Sequence, residues 1–173
     1  MRMKQGYIQV YTGDGKGKTT AALGVSIRSL VAGHRVYFAQ FIKGIQTGEL
    51  SLPEAFPEFT IVQYGMGRFI DGRPDECDVS AAREGLASCA DVLKSGAYDL
   101  VVLDEINVAL HYGMVEVSEV IAALAGRAPH VDVICTGRYA PPELIDASDL
   151  TTEMKKIKHY YAAGVRARKG IEF

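Results

Sequence analysis

The sequence predicts an α/β fold, a mostly parallel sheet of about six strands with helices on both faces. Three observations predict it. Residues 7–22, YIQVYTGDGKGKTTAA, run from an apolar strand through a glycine-rich loop into a helical pattern. Strand-length apolar runs then alternate with helix-length amphipathic stretches, the order that puts parallel strands into one sheet. One of those runs, Leu100-Val101-Val102-Leu103, ends in the acid pair Asp104-Glu105, at the strand end where open α/β sheets collect their ligands.

The first stretch carries the most chemistry. Tyr7-Ile8-Gln9-Val10-Tyr11 reads as a short buried strand. The loop that follows holds Gly13, Asp14, Gly15, Lys16, Gly17, Lys18, Thr19 and Thr20, and Ala21, Ala22 and Leu23 continue as helix. Glycines let backbone N–H groups converge on an anion, and the helix start adds the positive end of its dipole. This is a P-loop, as in P-loop NTPases. Lys18 is placed to neutralise phosphate and the Thr19 hydroxyl to meet Mg²⁺. The usual spacing puts the first glycine of the pattern at position 12, which here is Thr12, with Gly13 and Gly15 following.

The remaining elements follow in order. Residues 21–32 read as a helix with Leu23, Ile27, Leu30 and Val31 on one face and Gly33 as its stop. Arg28 sits on it about two turns past the loop, as a nucleotide contact or a solvated arginine. Residues 35–41 are the second strand, with Lys43-Gly44 beyond its end. Residues 46–59 are loop-like, with a short helix around 52–56, and 59–64 form the third strand. Residues 65–74, rich in glycine and carrying Met66, Phe69 and Ile70, have the makings of a binding loop. A helix spans 79–94, capped by Ser80 or Asp78 and ended by Gly96. Residues 98–103 are a fourth strand, buried on both faces. A helix at 116–126, a fifth strand at 131–135 ending in Thr136-Gly137-Arg138, and a short helix at 141–147 come next. A last strand is placed near 156–160, followed by a basic tail. No repeat or linker divides the 173 residues, which suit one domain.

Composition narrows the function. A net charge of −2 exerts no strong pull on nucleic acid or anionic membrane. The aromatics lack the basic interleaving of a nucleic-acid platform. No apolar run reaches membrane-spanning length, and the first residues lack the apolar core of a signal peptide. Cys77, Cys89 and Cys135 show no metal or redox spacing, so a reduced, cytoplasmic setting is expected. His34, His111, His130 and His159 are dispersed, and no nucleophile–base grouping is recognisable. What stands out is Lys18-Thr19 with Asp104-Glu105. One acid can hold Mg²⁺ directly or through water while the other orients a ligand, and two adjacent carboxylates need a cation or solvent nearby. Arg138 is a second candidate nucleotide contact, with a salt bridge as the alternative. By themselves these residues indicate Mg-nucleotide binding, and a P-loop does not choose among kinase, ATPase, switch and transferase.

Five stretches go further. GDGKGKTTAALG at 13–24, QFIKG at 40–44, LVVLDEINVAL at 100–110, TGRYAPPELIDASDLTTEM at 136–154 and KIKHYYAAGVRARKGIEF at 156–173 resemble the P-loop type of ATP:corrinoid adenosyltransferase. The likeness covers nearly the whole chain, and the TGR-to-APPELI stretch and the GIEF ending are its most specific parts. The resemblance implies one catalytic domain over 1–173, with ATP as adenosyl donor and a reduced corrinoid as acceptor. Its Co(I) attacks the ribose C5′ and triphosphate leaves. The protein would align C5′ with cobalt and stabilise charge on the leaving group. By position, Gly13 to Thr20 carry over as the phosphate loop, Lys18 and Glu105 as the catalytic pair, and Thr19 and Glu105 as contacts of Mg²⁺ or Mn²⁺. Arg28 and Arg138 carry over as nucleotide contacts. The family also uses bulky apolar residues to displace the corrinoid's lower axial ligand. The matching loop is 66–70, where relatives often have Phe and Trp, and this chain has Phe69, Ile70 and no tryptophan. A homodimer is implied, with a flavoprotein as a candidate reductant. Many relatives carry an arm before the first strand that covers a partner's active site. Here the strand begins by Tyr7, so closure is expected to depend on another segment.

The residues leave two other readings open. A P-loop phosphotransferase or ATPase would release ADP or phosphate instead of triphosphate, and a regulatory module would bind ATP without consuming it. Under every turnover reading Lys18→Ala should remove most activity, by weakening ATP binding and leaving-group stabilisation. Steady-state turnover beside nucleotide titration checks this, and near wild-type turnover would remove the basis for the assignment.

Overall fold

A computed structural model describes residues 5–67 and 72–173. Its frame is a six-stranded sheet in the order β3-β2-β4-β5-β1-β6, with every pairing parallel. The strands are β1 Ile8–Thr12, β2 Val36–Phe41, β3 Phe59–Tyr64, β4 Leu100–Asp104, β5 Asp132–Thr136 and β6 Leu150–Glu153. The helices are α1 Lys18–Val31, α2 Leu52–Ala55, α3 Glu76–Ser95, α4 Ile106–His111, α5 Val117–Ala125 and α6 Pro142–Asp146.

Strand alternation sorts the core into two layers. Val10, Tyr37, Ala39, Phe41, Val101, Leu103, Val133 and Cys135 face one way and pack with Leu86, Cys89 and Leu93 of α3, Ile106 of α4, Leu124 of α5 and Leu144 of α6. Tyr11, Val36, Phe38, Leu100, Val102 and Ile134 face the other way, with Ala22 and Leu30 of α1. β2 and β4 are buried at every residue, so both read as continuous apolar runs.

The same alternation positions polar groups. Continuing the α1-facing series by one step in each strand brings Gln40, Asp104 and Thr136 onto the face that α1 covers. Gln63 pairs with Gln40, and Gln40 with Asp104; Thr136 lies one residue beyond the Leu103–Cys135 pair. A polar row therefore crosses four strands at the carboxyl edge of the sheet.

Four expectations need correction. The last strand is Leu150–Glu153 rather than 156–160. It is exposed throughout and joins β1 through backbone pairing, so it has no apolar signature, and the segment predicted as strand leads instead into a 3-10 turn at Tyr160–Ala163. The first helix starts at Lys18, not at 21, because the end of the loop is already its first turn. The third helix starts at Glu76 with Asp75 as its cap, the Asp75 and Asp78 side chains each accepting the other's backbone N–H. Helix α4 follows Glu105 directly and was absent from the expected elements.

Phe38 is fully buried, 5.9 Å from the Phe59 ring centroid. Phe38→Ala should cost about 3–5 kcal/mol, read as a lower urea midpoint with little change in slope; a loss below about 1 kcal/mol would show that the α1 layer tolerates the cavity.

Candidate nucleotide and cation site

The site is built where β1, β2, β4 and β5 end. Gly17 takes φ 121 as the cap of α1, and no side chain caps that helix, so its first N–H groups remain available to an anion. The Lys18 ammonium folds back to donate to the carbonyls of Gly13 at 2.7 Å and Gly15 at 2.8 Å. Burial pulls the Lys18 pKa down, against the opposing charge of Glu105. At Gly15 any side chain is excluded, since a Cβ would lie 2.6 Å from the Met154 carbonyl oxygen, which accepts the Gly15 N–H at 2.6 Å.

Asp104 is fully buried and carries the centre of the site. Its Oδ1 accepts the Thr19 hydroxyl at 2.8 Å and the Thr136 hydroxyl at 2.7 Å. Its Oδ2 accepts the Lys43 ammonium at 2.7 Å, with Gln40 Nε2 at 3.5 Å. Gln40 also donates to Glu49 at 2.8 Å and accepts from Gln63 at 3.0 Å. Burial lowers the Lys43 pKa, but the charge and hydrogen bond of Asp104, followed by Glu105 and Glu49, outweigh it and the net shift is upward.

Glu105 adopts a left-handed conformation, φ 63, as it leaves β4, and its N–H donates to Thr136 Oγ1 at 3.1 Å. Burial, then the Asp104 charge, push its carboxyl above the ordinary range; Lys43, Lys18 and Arg138 pull the other way. Its Oε2 lies beside Gly137, where a Cβ would come within 3.2 Å. Asn107, fully buried, donates to the Gly137 carbonyl at 3.0 Å and fixes that turn.

The structure thus gathers the loop from Gly13 to Thr20, Glu105 and Arg138 at one edge. Arg138 is exposed and only 4.0 Å from Asp14, a loose surface pair. Arg28 lies on the third turn of α1, exposed, with its charge felt by Tyr11. Phe69 falls outside the described residues. His111 stacks on Tyr139 with ring centroids 4.1 Å apart. Lys43 stands where the sequence placed it, just past the second strand at the ligand edge; Gln40, Thr136 and Asn107 were not singled out. QFIKG was a visible signal for Lys43; the others needed the strand register. The chain's end also reaches the loop: Lys16 donates to the Ile171 carbonyl at 3.0 Å and pairs with Glu172 at 3.4 Å.

Among the described residues no group of three or more His, Cys, Asp or Glu could hold a metal. Thr19 with Asp104 and Glu105 instead offers hard oxygen donors, too few for a closed cage but suited to Mg²⁺ or Mn²⁺ that arrives with phosphate oxygens.

Comparison with known proteins points one way. A family model described as ATP:corrinoid adenosyltransferase BtuR/CobO/CobP matches residues 4–173. The corrinoid adenosyltransferase of Pseudomonas aeruginosa is 38% identical over 174 residues, covering 99% of this chain and 86% of that protein. Corrinoid adenosyltransferase CobA of Salmonella typhimurium is 37% identical over 172 residues, covering 98% and 87%. Among solved structures, the RadB recombinase superposes with a TM-score of 0.59 at 17% identity over 90% of this chain and 77% of that one. The flagellar accessory protein FlaH from Methanocaldococcus jannaschii gives 0.58 at 10% identity over 87% and 72%. Those two likenesses bear on the fold.

A carboxyl whose pKa is raised on folding keeps its proton longer in the folded than in the unfolded chain. Its stability contribution is therefore lost as pH rises from the ordinary value of 4.5 through the folded pKa. Glu105→Gln should raise the melting temperature of the protein without nucleotide at pH 7, with the gain vanishing below pH 4, while turnover with ATP falls at least about tenfold. Melting curves across pH and initial rates check both halves; an unchanged rate would shift the cation contact to Asp104.

Proposed function

The chain belongs to the ATP:corrinoid adenosyltransferase family, and from that premise we propose how its residues divide the work of adenosylating a corrinoid. The observation that carries the reading is the join of Lys18, Thr19 and Asp104 at one strand edge, beside a helix N-terminus with no side-chain cap. ATP supplies the 5′-deoxyadenosyl group. The Co(I) of the reduced corrinoid is the nucleophile, the C5′–O bond breaks, and triphosphate leaves.

Co(I) needs little acid–base help, so the protein's task is to orient and to stabilise charge. The amides of residues 13–20 other than that of Gly15, which the Met154 carbonyl holds, and the Lys18 ammonium receive the triphosphate. Its present bonds to the Gly13 and Gly15 carbonyls are replaced by phosphate oxygens, which are stronger acceptors for a cation. Thr19 and Glu105, with Asp104 behind Thr19, hold Mg²⁺ or Mn²⁺, which when bound supplies charge neutralisation on the phosphates. Arg138 and Arg28 are the proposed nucleotide contacts, and Phe69 the proposed apolar group at the corrinoid's lower face.

The reading takes residues 1–173 as one domain, supported by a single sheet whose strands run from Ile8 to Glu153. A homodimer and a flavoprotein electron donor belong to it on the strength of the family resemblance. A cytoplasmic setting is supported by three free cysteines; burial pushes Cys89 and Cys135 up to about 12. Among the described residues no helix is long and apolar enough to cross a membrane.

The test is incubation with ATP, Mg²⁺ and chemically reduced cobalamin, followed optically for the cobalt–carbon product and by ion chromatography for the phosphate product. Adenosylated corrinoid and triphosphate should form in equal amounts. ADP or orthophosphate in place of triphosphate would overturn the division of roles.

A further inference from the structure

Lys43 stands apart from the phosphate loop, on the far side of Asp104, and its surroundings hold it there. Ile42, a β-branched residue, adopts φ 66 immediately after β2, a conformation that persists only where surrounding structure enforces it. The enforcement is visible. The Ile42 N–H donates to the Tyr64 carbonyl at 2.9 Å. A Cβ on Gly44 would lie 2.3 Å from the Gly67 nitrogen, and one on Gly65 would lie 2.3 Å from the Ile42 carbonyl carbon. The turn after β2 and the turn after β3 are backbone against backbone. This clamp turns the chain back so that Lys43 meets Asp104 Oδ2 while Thr19 and Thr136 occupy Oδ1.

A fully buried carboxylate requires a cation or several donors. Lys43 is the cation that meets this need, and its side chain keeps a quarter of its surface open to solvent, so it has room to move. A divalent ion held by the Thr19 hydroxyl would lie on the Oδ1 side of the same carboxylate, across from Lys43. Two cations flanking one carboxylate repel each other at a few ångströms through a low-dielectric medium. Glu105 and Glu49 also act on the Lys43 charge. In this reading Glu105 is a contact of the ion, and Glu49 already accepts from Gln40, so the incoming triphosphate is the anion with charge to spare. We propose that Lys43 is an exchangeable counter-ion: it neutralises Asp104 until a divalent cation takes over that role, and its ammonium then turns to the triphosphate. Metal arrival and leaving-group stabilisation are thereby coupled through one side chain. The inference rests on the proposed divalent-cation contact at Thr19 and the acid pair.

The test separates the two charges that Lys43 serves. Mn²⁺ alone is titrated by electron paramagnetic resonance, and tripolyphosphate by calorimetry with and without saturating Mn²⁺, on the whole protein. Lys43→Met should bind Mn²⁺ alone more tightly and, in saturating Mn²⁺, tripolyphosphate more weakly, each on the order of tenfold, with metal-free tripolyphosphate binding little changed. Lys43→Arg should stay near wild type in the tripolyphosphate titration. A residue that merely supports the structure would weaken both ligands in Lys43→Met, and that outcome, or no change in either, overturns the proposal. Should Lys43→Met melt below the assay temperature, Lys43→Gln keeps a donor to Asp104 without the charge and must show the same opposed shifts. A wild-type protein that binds tripolyphosphate but no Mn²⁺ overturns the cation reading and the exchange with it. Wild-type Mn²⁺ binding with unmoved variants overturns the exchange alone.

Discussion

The whole site depends on one buried charge. Asp104 has no exposed surface, so its carboxylate survives only if its oxygens are answered. The answers come from four side chains on three segments: Thr19 on α1, Thr136 at the end of β5, and on β2 and the turn after it Lys43 and, more distantly, Gln40. Each of these bonds also ties a segment to β4. The phosphate loop is anchored through Thr19, the first residue after Lys18, so the carboxylate sets where the helix N-terminus points. Glu105 is placed indirectly, because Thr136 donates to Asp104 and accepts from the Glu105 N–H with the same hydroxyl.

Among the described residues, the three non-glycine residues with positive φ sit on this same edge. Ile42 follows β2, Glu105 follows β4, and Tyr139 lies three residues beyond β5. Backbone strain of this kind costs about 1–3 kcal/mol per residue and persists because the packing around it leaves no alternative. Parallel strands deliver their ends to one side, and chains that must turn there while keeping polar side chains aimed inward cannot all take relaxed turns. The cations of the edge are matched by nearby acceptors: Lys43 by Asp104, Lys16 by Glu172, Arg138 by Asp14 at 4.0 Å, and Lys18 by two carbonyls. These pairings differ in strength. The exposed Arg138–Asp14 pair contributes little, whereas the Asp104 pair is held in low dielectric. An incoming polyphosphate meets easy competition at the rim and a strong one at the centre.

Strands and helices that carry the core were legible because burial leaves an apolar trace. β2, β4 and β5 lie within a residue or two of where their apolar runs place them. β6 was not legible for the opposite reason: LTTE is exposed and is recruited by β1's free edge through backbone hydrogen bonds, which any sequence can make. Helix α4 was hidden because INVALH follows an apolar strand with only the left-handed Glu105 between them, and nothing in a single sequence announces that turn at a glutamate. The phosphate loop and the acid pair were visible as motifs. The polar row from Gln63 to Thr136 was not, since it exists only in the strand register, and register is decided by pairing between segments far apart in the chain.

The chain's end explains why a P-loop protein should have a specific ending at all. After β6 the backbone crosses the phosphate loop closely enough that Met154 accepts the Gly15 N–H and donates to the Thr12 carbonyl. The last residues then return to the same loop: Tyr160 and Arg168 bond to Glu172, and Glu172 together with the Ile171 carbonyl meets Lys16. Lys16 is thereby directed outward while Lys18 is directed inward, although both lie in one glycine-rich run. A loop of alternating Gly and Lys does not decide by itself which lysine faces the anion. The burial of Lys18 under the loop carbonyls decides for one, and the terminal Ile171-Glu172 pair decides for the other, so residues at the far end of the sequence help define the geometry of its most recognisable motif.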